Sequence, residues 1–174
     1  MNKNNIFIIG FMGSGKTTIA KKIKQITKMQ FIDMDQEIVN RVGMSIPDIF
    51  KNKGEVFFRN LETNLLKEIQ NKEGVVVSCG GGVVLKEENI VEMRKAGTVV
   101  LLKASPETVY RRVSQGTNRP ILNGNMNRKY IKDLMKVRQE QYQRAAHIVV
   151  ITDKKVVRQI SQEIIELVKD WEGK

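Results

Sequence analysis

The chain has 174 residues and contains few of the features that define several common protein classes. A single cysteine, Cys79, allows no internal disulfide, which is consistent with a reducing compartment. No run of about eighteen apolar residues occurs, so no membrane-spanning helix is predicted. The N-terminus leads almost directly into a strand pattern, not into a signal peptide. From these absences we expect a soluble, cytoplasmic protein.

Aromatic residues are also scarce, at 6% of the chain, and this bears on the meaning of its charge. Lysine and arginine number 30 against 19 acidic residues, for a formal net charge of +11. Such a charge can attract nucleic acid. However, the basic residues are spread along the chain, without the interleaved aromatics on which bases stack. We therefore expect no nucleic-acid partner, and small anionic substrates account for part of the charge.

Composition and hydrophobic pattern predict a single α/β domain over residues 1–174. The chain is 41% hydrophobic and 28% charged, which is typical of globular proteins, and it shows no internal repeat or linker. Strands are predicted at Ile6–Ile9, Phe31–Asp33, Val75–Ser78, Thr98–Leu102 and Ile148–Ile151. Helices are predicted at Lys16–Ile26, Gln36–Val42, Ile46–Lys53, Gly54–Gln70, Glu87–Ala96, Pro106–Ser114, Asn127–Ala146 and Lys155–Trp171. This alternation predicts a three-layer α/β/α fold around a five-stranded parallel sheet.

A glycine-rich segment follows the first predicted strand. Its sequence, G-F-M-G-S-G-K-T from Gly10 to Thr17, matches the phosphate-binding pattern G-x-x-x-x-G-K-[ST]. Glycines let backbone N–H groups approach phosphates, Lys16 can reach the β- and γ-phosphates, and Thr17 can ligand Mg²⁺. A chance glycine-rich turn is disfavoured, because a strand precedes the segment and a helix follows it. The residues expected to bind the nucleotide here are Gly13, Ser14, Gly15, Lys16, Thr17 and Thr18.

Two carboxylates end the second predicted strand. In an extended segment, Asp33 and Asp35 project to one side, where they can serve Mg²⁺ and a substrate hydroxyl. They also lie at the carboxyl end of a parallel strand, where ligands bind in open sheets. The alternative is that Asp35 merely caps the helix beginning near Gln36.

Two further groups of residues can be interpreted either as functional or as purely structural. Gly80, Gly81 and Gly82 follow the third strand, where they allow close approach to a ligand or positive φ, although a turn explains one or two of them. Arg59 and Glu62 are three residues apart on one predicted helix and share a face. For these two, a solvated surface pair is the simpler interpretation.

Other conspicuous residues are assigned structural roles. Cys79 ends an apolar run and is interpreted as a small residue at the edge of the core. His147, the sole histidine, begins the last strand, whose opposite end faces the ligands. Helical spacing predicts ordinary core packing for Val156, Ile160, Ile164 and Val168.

Taken together, these segments resemble the shikimate kinase family, within the nucleoside-monophosphate-kinase-like group of phosphate-loop proteins. The resemblance spans nearly the whole chain. It rests on G-F-M-G-S-G-K-T, F-I-D-M-D, G-M-S-I-P-D-I-F, G-E-V-F-F-R-N-L-E, V-V-S-C-G-G-G-V-V, N-R-P-I-L and R-Q-E-Q-Y, in that order. It implies transfer of the γ-phosphate of ATP to the 3-hydroxyl of shikimate, with Mg²⁺ as cofactor and ADP as product, on the route to chorismate and the aromatic amino acids.

The resemblance also implies an acceptor pocket. Asp35 would hydrogen-bond the shikimate hydroxyls, either as a general base or only to orient them. Arg59 and Arg138 would hold the shikimate carboxylate, a role that suits the planar guanidinium group. Gly80, Gly81 and Gly82 would complete the pocket.

On the nucleotide side, the resemblance implies that Thr17 binds Mg²⁺ directly, while Asp33, with Ser78, holds it through water. Lys16 would neutralise phosphate charge and take part in catalysis. Arg112 would stack on adenine. Arg119 would be the catalytic arginine of a mobile lid at approximately 115–128, which closes over the phosphates and excludes water.

Alternative functions remain open from the sequence. The runner-up is another small-molecule kinase of this fold, such as a gluconate kinase or a nucleoside-monophosphate kinase. Arg59, the glycine triplet and Arg138 favour a carboxylate-bearing polyol over a nucleotide acceptor. A catalytically silent nucleotide switch is disfavoured by four intact residues, Lys16, Thr17, Asp33 and Asp35. We expect a monomer whose partners are shikimate and ATP.

Overall fold

Five parallel strands form the centre of the molecule. The computed structural model of the chain describes residues 4–114 and 127–173. Its strands are β1 (Ile6–Ile9), β2 (Gln30–Asp33), β3 (Val75–Ser78), β4 (Thr98–Lys103) and β5 (Ile148–Ile151). They pair in parallel in the order β2-β3-β1-β4-β5. The predicted five-stranded parallel sheet is therefore confirmed.

Helices connect the strands, as the alternating pattern predicts. They are α1 (Lys16–Thr27), α2 (Met34–Val42), α3 (Ile46–Lys53), α4 (Glu55–Ile69), α5 (Glu87–Ala96), α6 (Pro106–Ser114), α7 (Arg128–Ala145) and α8 (Val157–Glu172). A short 3₁₀ turn, Val83–Leu85, follows the glycine triplet. In the part of the chain that the structure describes, no helix has the length and apolar character needed to span a bilayer.

The core lies on both faces of the sheet. Along β1, Phe7 and Ile9 belong to one hydrophobic cluster, whereas Ile6 and Ile8 belong to a second. Successive side chains of a strand point to opposite faces, so each face needs its own helical layer. Residues of α1 and α8 pack in the second cluster, and residues of α2 to α7 pack in the first. The predicted three-layer arrangement is confirmed.

The structural roles assigned to His147, Cys79 and the α8 stripe are confirmed, except at one residue of the stripe. Nδ1 of His147 accepts the Val99 N–H at 3.0 Å, and the ring stacks on Trp171 at a centroid distance of 5.3 Å. Cys79 is buried. In the α8 stripe, Ile160, Ile164 and Val168 are buried. The core prediction is wrong for Val156, which is 63% exposed because it precedes the first turn of α8 as its N-cap.

Candidate active site

A cleft of about 1090 Å³ opens at the carboxyl ends of the central strands. The loop after β1, the start of α2, helix α4, the loop after β3, and helices α6 and α7 all contribute to its walls. Crevices of this kind hold the ligands of open parallel sheets. The predicted site residues that line it are Gly13, Gly15, Lys16, Thr17, Thr18, Asp33, Asp35, Arg59, Gly80, Gly81, Gly82, Arg112 and Arg138.

The loop between β1 and α1 has the backbone that a phosphate loop needs. Gly13 and Gly15 have φ values of +76° and +96°, a left-handed conformation that other residues rarely adopt. Gly15 is the N-cap of α1 and supplies no side-chain hydrogen bond to the first turn. The helix therefore presents backbone N–H groups and the positive end of its dipole to an anion. Ser14 differs from its neighbours because its side chain is buried beneath the loop.

Two cationic side chains donate hydrogen bonds to backbone carbonyl oxygens of this loop. Nζ of Lys16 donates to the carbonyl oxygens of Gly10 and Phe11 at 2.8 and 3.1 Å. Nη1 of Arg112, from α6, donates to the carbonyl oxygens of Gly13 and Ser14 at 3.1 and 3.3 Å. The structure thus places Lys16 and Arg112 around the same loop, as the nucleotide-site prediction requires.

Three oxygen-bearing side chains meet at the base of the phosphate loop. Oγ1 of Thr17 donates to Oδ2 of Asp33 at 2.9 Å and lies 3.0 Å from Oγ of Ser78. These residues come from α1, the end of β2 and the end of β3. Within the described residues, no group of three or more His, Cys, Asp or Glu side chains could hold a metal ion. One carboxylate and two hydroxyls nevertheless fit Mg²⁺, which takes oxygen ligands and usually keeps several waters.

The two aspartates at the junction of β2 and α2 occupy different positions from those that the sequence pattern suggests. Asp33 is the N-cap of α2, and its side chain accepts the Gln36 N–H. Asp35 lies inside the first turn of the helix, so the alternative in which Asp35 is the cap is wrong. The extended-strand argument for their common side is also wrong, because only Asp33 is in the strand. Both nevertheless line the cleft, because α2 begins at its edge.

Arg59 and Glu62 form a buried pair on α4. Nη1 of Arg59 donates to Oε2 of Glu62 at 2.7 Å, the Glu62 side chain is fully buried, and that of Arg59 is 12% exposed. The interpretation as a solvated surface pair is therefore wrong. Burial lowers the pKa of Arg59, but Glu62 and Glu55 more than offset this, so its pKa lies above the ordinary value.

Glu62 is a cleft residue that the sequence did not single out as functional. Burial raises its pKa to about 7, against the opposing effect of Arg59 and with a further contribution from Asp35. Its second carboxylate oxygen, Oε1, has no hydrogen-bond partner among the described residues. The spacing of three residues from Arg59 was the available signal, but spacing alone does not tell a buried helix face from an exposed one.

The glycine triplet makes room for the protein's own charged groups. A Cβ at Gly80 would lie 2.7 Å from Oε1 of Glu62 and 2.8 Å from Oδ1 of Asp35. A Cβ at Gly82 would lie only 2.2 Å from Nη2 of Arg59. The interpretation by positive φ is wrong, because none of the three has φ in the left-handed range. Close approach is therefore the reason for glycine at Gly80 and Gly82.

Helix α7 brings two more residues to this end of the cleft. Arg138 lines the cleft, with its guanidinium carbon 5.9 Å from the centre of the Phe11 ring. Tyr142, one turn later and missed by the sequence reasoning, donates its hydroxyl to the carbonyl oxygen of Gly81. Arg119 and the predicted lid up to residue 126 lie outside the described residues, while Arg128 begins α7.

Comparisons with known proteins point to one family. A family model described as shikimate kinase matches residues 12–169. A shikimate kinase of Sulfurihydrogenibium sp. is 42% identical over 165 residues, covering 95% of this chain and 98% of the relative. One of Ralstonia nicotianae is 38% identical over 165 residues, covering 95% and 87% of the two chains.

Solved structures agree with the sequence comparisons. The shikimate kinase of Acinetobacter baumannii, solved in complex with shikimate, superimposes with a TM-score of 0.91 at 33% identity, covering 98% of this chain and 96% of the other. A gluconokinase of Sinorhizobium meliloti has a TM-score of 0.59 at 16% identity, covering 99% of this chain and 98% of the other. The second likeness is one of fold alone.

Proposed function

The chain belongs to the shikimate kinase family, and from that membership we propose how its cleft transfers the γ-phosphate of ATP to the 3-hydroxyl of shikimate. The observation that carries the proposal is that one cleft joins a phosphate loop to a second group of residues. Lys16 and Thr17 lie on the loop side, while Asp35, Arg59 and Arg138 lie on the other. A phosphate donor and a carboxylate-bearing acceptor can thus be held in the same cleft.

The donor half of the proposal concerns the phosphates of ATP. The N-terminus of α1 and the ammonium of Lys16 attract and neutralise the phosphate oxygens. Thr17 and Asp33, with Ser78 beside them, hold Mg²⁺ in the proposal, because their oxygens converge within 3.0 Å. When bound, the metal ion neutralises charge that develops on the transferring phosphate. Arg112, close to the loop, contacts the base in this assignment.

The acceptor half concerns orientation of the shikimate ring. Arg59 and Arg138 bind its carboxylate, since guanidinium groups pair with carboxylates in bidentate geometry. Gly81 and Gly82 allow the ring to approach the backbone. Asp35 then accepts a hydrogen bond from the reacting hydroxyl. Because both the carboxylate and the reacting hydroxyl are bound, shikimate is held in a single orientation. This lowers the entropic cost of the reaction.

The protein itself contributes little covalent chemistry to the transfer. The 3-hydroxyl oxygen forms a bond to the γ-phosphorus as the bond to the bridging oxygen of ADP breaks. In this assignment Asp35 orients the hydroxyl, and as a general base it would also accept the proton that is released. We assign Arg119 to the developing phosphate charge, from its place in N-R-P-I-L. Positioning and charge stabilisation supply most of the catalysis.

The test of the proposed function is ADP release from Mg·ATP by the purified chain. We expect turnover with shikimate and only background release with gluconate, AMP or no acceptor. AMP lacks the carboxylate that Arg59 and Arg138 bind in the proposal, and gluconate is an open chain whose hydroxyls are not held by a ring as those of shikimate are. Activity with AMP or gluconate alone would overturn the acceptor assignment. Release that ignores every acceptor would indicate a nucleotide-dependent switch instead.

Three further properties belong to the same proposal. We propose that the chain acts as a monomer and one domain, because a single chain supplies both halves of the cleft. Light scattering after size exclusion should give one 19.9 kDa species, with and without ligands. We also propose a cytoplasmic location, where ATP is available, and cell fractionation tests it.

Replacing Arg119 with alanine should lower kcat with little change in shikimate KM.

A further inference from the structure

Arg59 contacts two carboxylates that differ sharply in burial. Glu62 holds Nη1 at 2.7 Å from a fully buried position. Glu55, one turn earlier on α4, accepts from Nη2 at 3.1 Å and from Nε at 3.2 Å through the same oxygen, Oε1. The Glu55 side chain is 58% exposed. One partner of Arg59 is therefore fixed in the fold, and the other can rotate into solvent.

The two carboxylates accept hydrogen bonds from three of the five N–H donors of the guanidinium. Glu62 takes a donor on the Nη1 side, and Glu55 takes the Nε/Nη2 edge, which is one of the edges used for bidentate pairing with a carboxylate. The backbone of Gly82 lies so close to Arg59 that a methyl group on its Cα would clash with the guanidinium. This leaves little room for a ligand between Gly82 and Arg59. A carboxylate that pairs with the Nε/Nη2 edge of Arg59 must therefore displace Glu55.

Displacement of Glu55 is far easier than displacement of Glu62. Moving Glu62 would require rearrangement of the residues packed around it, because its side chain has no exposed surface. Moving Glu55 requires only rotation of a solvated side chain at the first residue of the helix. Exposed ion pairs of this kind change an equilibrium constant by a few-fold at most.

We propose that Glu55 is a displaceable placeholder for the acceptor's carboxylate: it holds the Nε/Nη2 edge of Arg59 and yields that edge when the acceptor binds. This inference rests on the proposed function. It makes Glu55 a positioning residue that tunes acceptor affinity, with no contact to the reacting atoms. The placeholder keeps the guanidinium oriented and its charge paired, and the acceptor must compete with it.

The test is a steady-state comparison of wild type with Glu55→Gln. Because the neutral amide competes weakly for a guanidinium, we expect the shikimate KM to fall about two- to fivefold, with kcat unchanged. The KM for ATP should stay the same. Calorimetric titration of shikimate without nucleotide should show the same gain in affinity. Glu55→Ser provides a second variant that also lacks the carboxylate and should shift the KM in the same direction.

The matched control is Glu87→Gln on α5. Glu87 also pairs with an arginine, Arg144, at 2.8 Å, and its side chain is 59% exposed, close to the value for Glu55. Neither glutamate lines the cleft, but the partner of Glu55, Arg59, does line it, whereas Arg144 does not. Loss of the same charge there should leave both KM values unchanged.

Three results would overturn the inference. An unchanged or raised shikimate KM in both Glu55 variants would show that Glu55 does not compete, or that it assists binding. A parallel fall in the KM for ATP would show a general effect of charge on anions in the cleft. Absence of turnover with shikimate in the wild type would refute the proposed function as well, whereas the first two results would leave that function intact.

Discussion

Replacing Glu62 with glutamine should change how the stability of the protein depends on pH. The Glu62 pKa is raised from an ordinary 4.5 to about 7, with burial as the largest cause. Between these two values, the folded chain keeps a proton that the unfolded chain has lost. Glu62 therefore contributes full stability below about pH 4.5, and this contribution disappears as pH rises through about 7.

The size of the effect follows from the shift. At about 1.4 kcal/mol per pKa unit, the rise corresponds to a loss of about 3 kcal/mol in the free energy of unfolding. Glutamine has nearly the shape of the protonated acid and does not ionise, so the variant should lack this loss. In the wild type, the pKa values of the nearby Arg59 and Cys79 are both raised, so Arg59 stays charged and Cys79 stays protonated between pH 4.5 and 8.

The assay is denaturant unfolding of both proteins at a series of pH values from 4.5 to 8, without ligands. We expect the stability of wild type relative to Glu62→Gln to decrease by about 3 kcal/mol across this range. Curves that stay parallel would refute the raised pKa. A wild-type advantage that grows with pH would show that attraction to Arg59 outweighs the cost of burial, which reverses the reasoning.

Other predictions concern the acceptor side of the cleft. Gly82→Ala should raise the shikimate KM at least about tenfold, with the ATP KM unchanged, because its Cβ would lie 2.2 Å from Nη2 of Arg59. A shikimate KM equal to that of the wild type would refute this steric argument. Asp35→Asn should reduce kcat by about a hundredfold or more while calorimetry shows intact ATP binding, and near-normal turnover would remove Asp35 from the reaction. Arg138→Ala should raise the shikimate KM by about tenfold or more, and unchanged kinetics would place the carboxylate elsewhere.

Local patterns were sufficient for the fold and for the phosphate loop. The five strands, the phosphate loop and the carboxylates after β2 are all encoded within short segments, because periodicity and glycine spacing act over a few residues. The parallel sheet then brings the carboxyl ends of its strands together as a geometric necessity. For this reason Lys16, Asp33 and the glycine triplet could be assigned to one cleft before any coordinates were known.

The acceptor side depended on contacts between distant segments. Spacing along α4 placed Arg59 and Glu62 on one face, but only packing against the loop after β3 decided that this face is buried. The clash that forbids a side chain at Gly82 arises 23 residues from Arg59 in sequence. The sequence alone determined which chemical groups are present and at which edge of the sheet they lie; the tertiary structure decided which of them are buried, because burial depends on neighbours that no local pattern specifies.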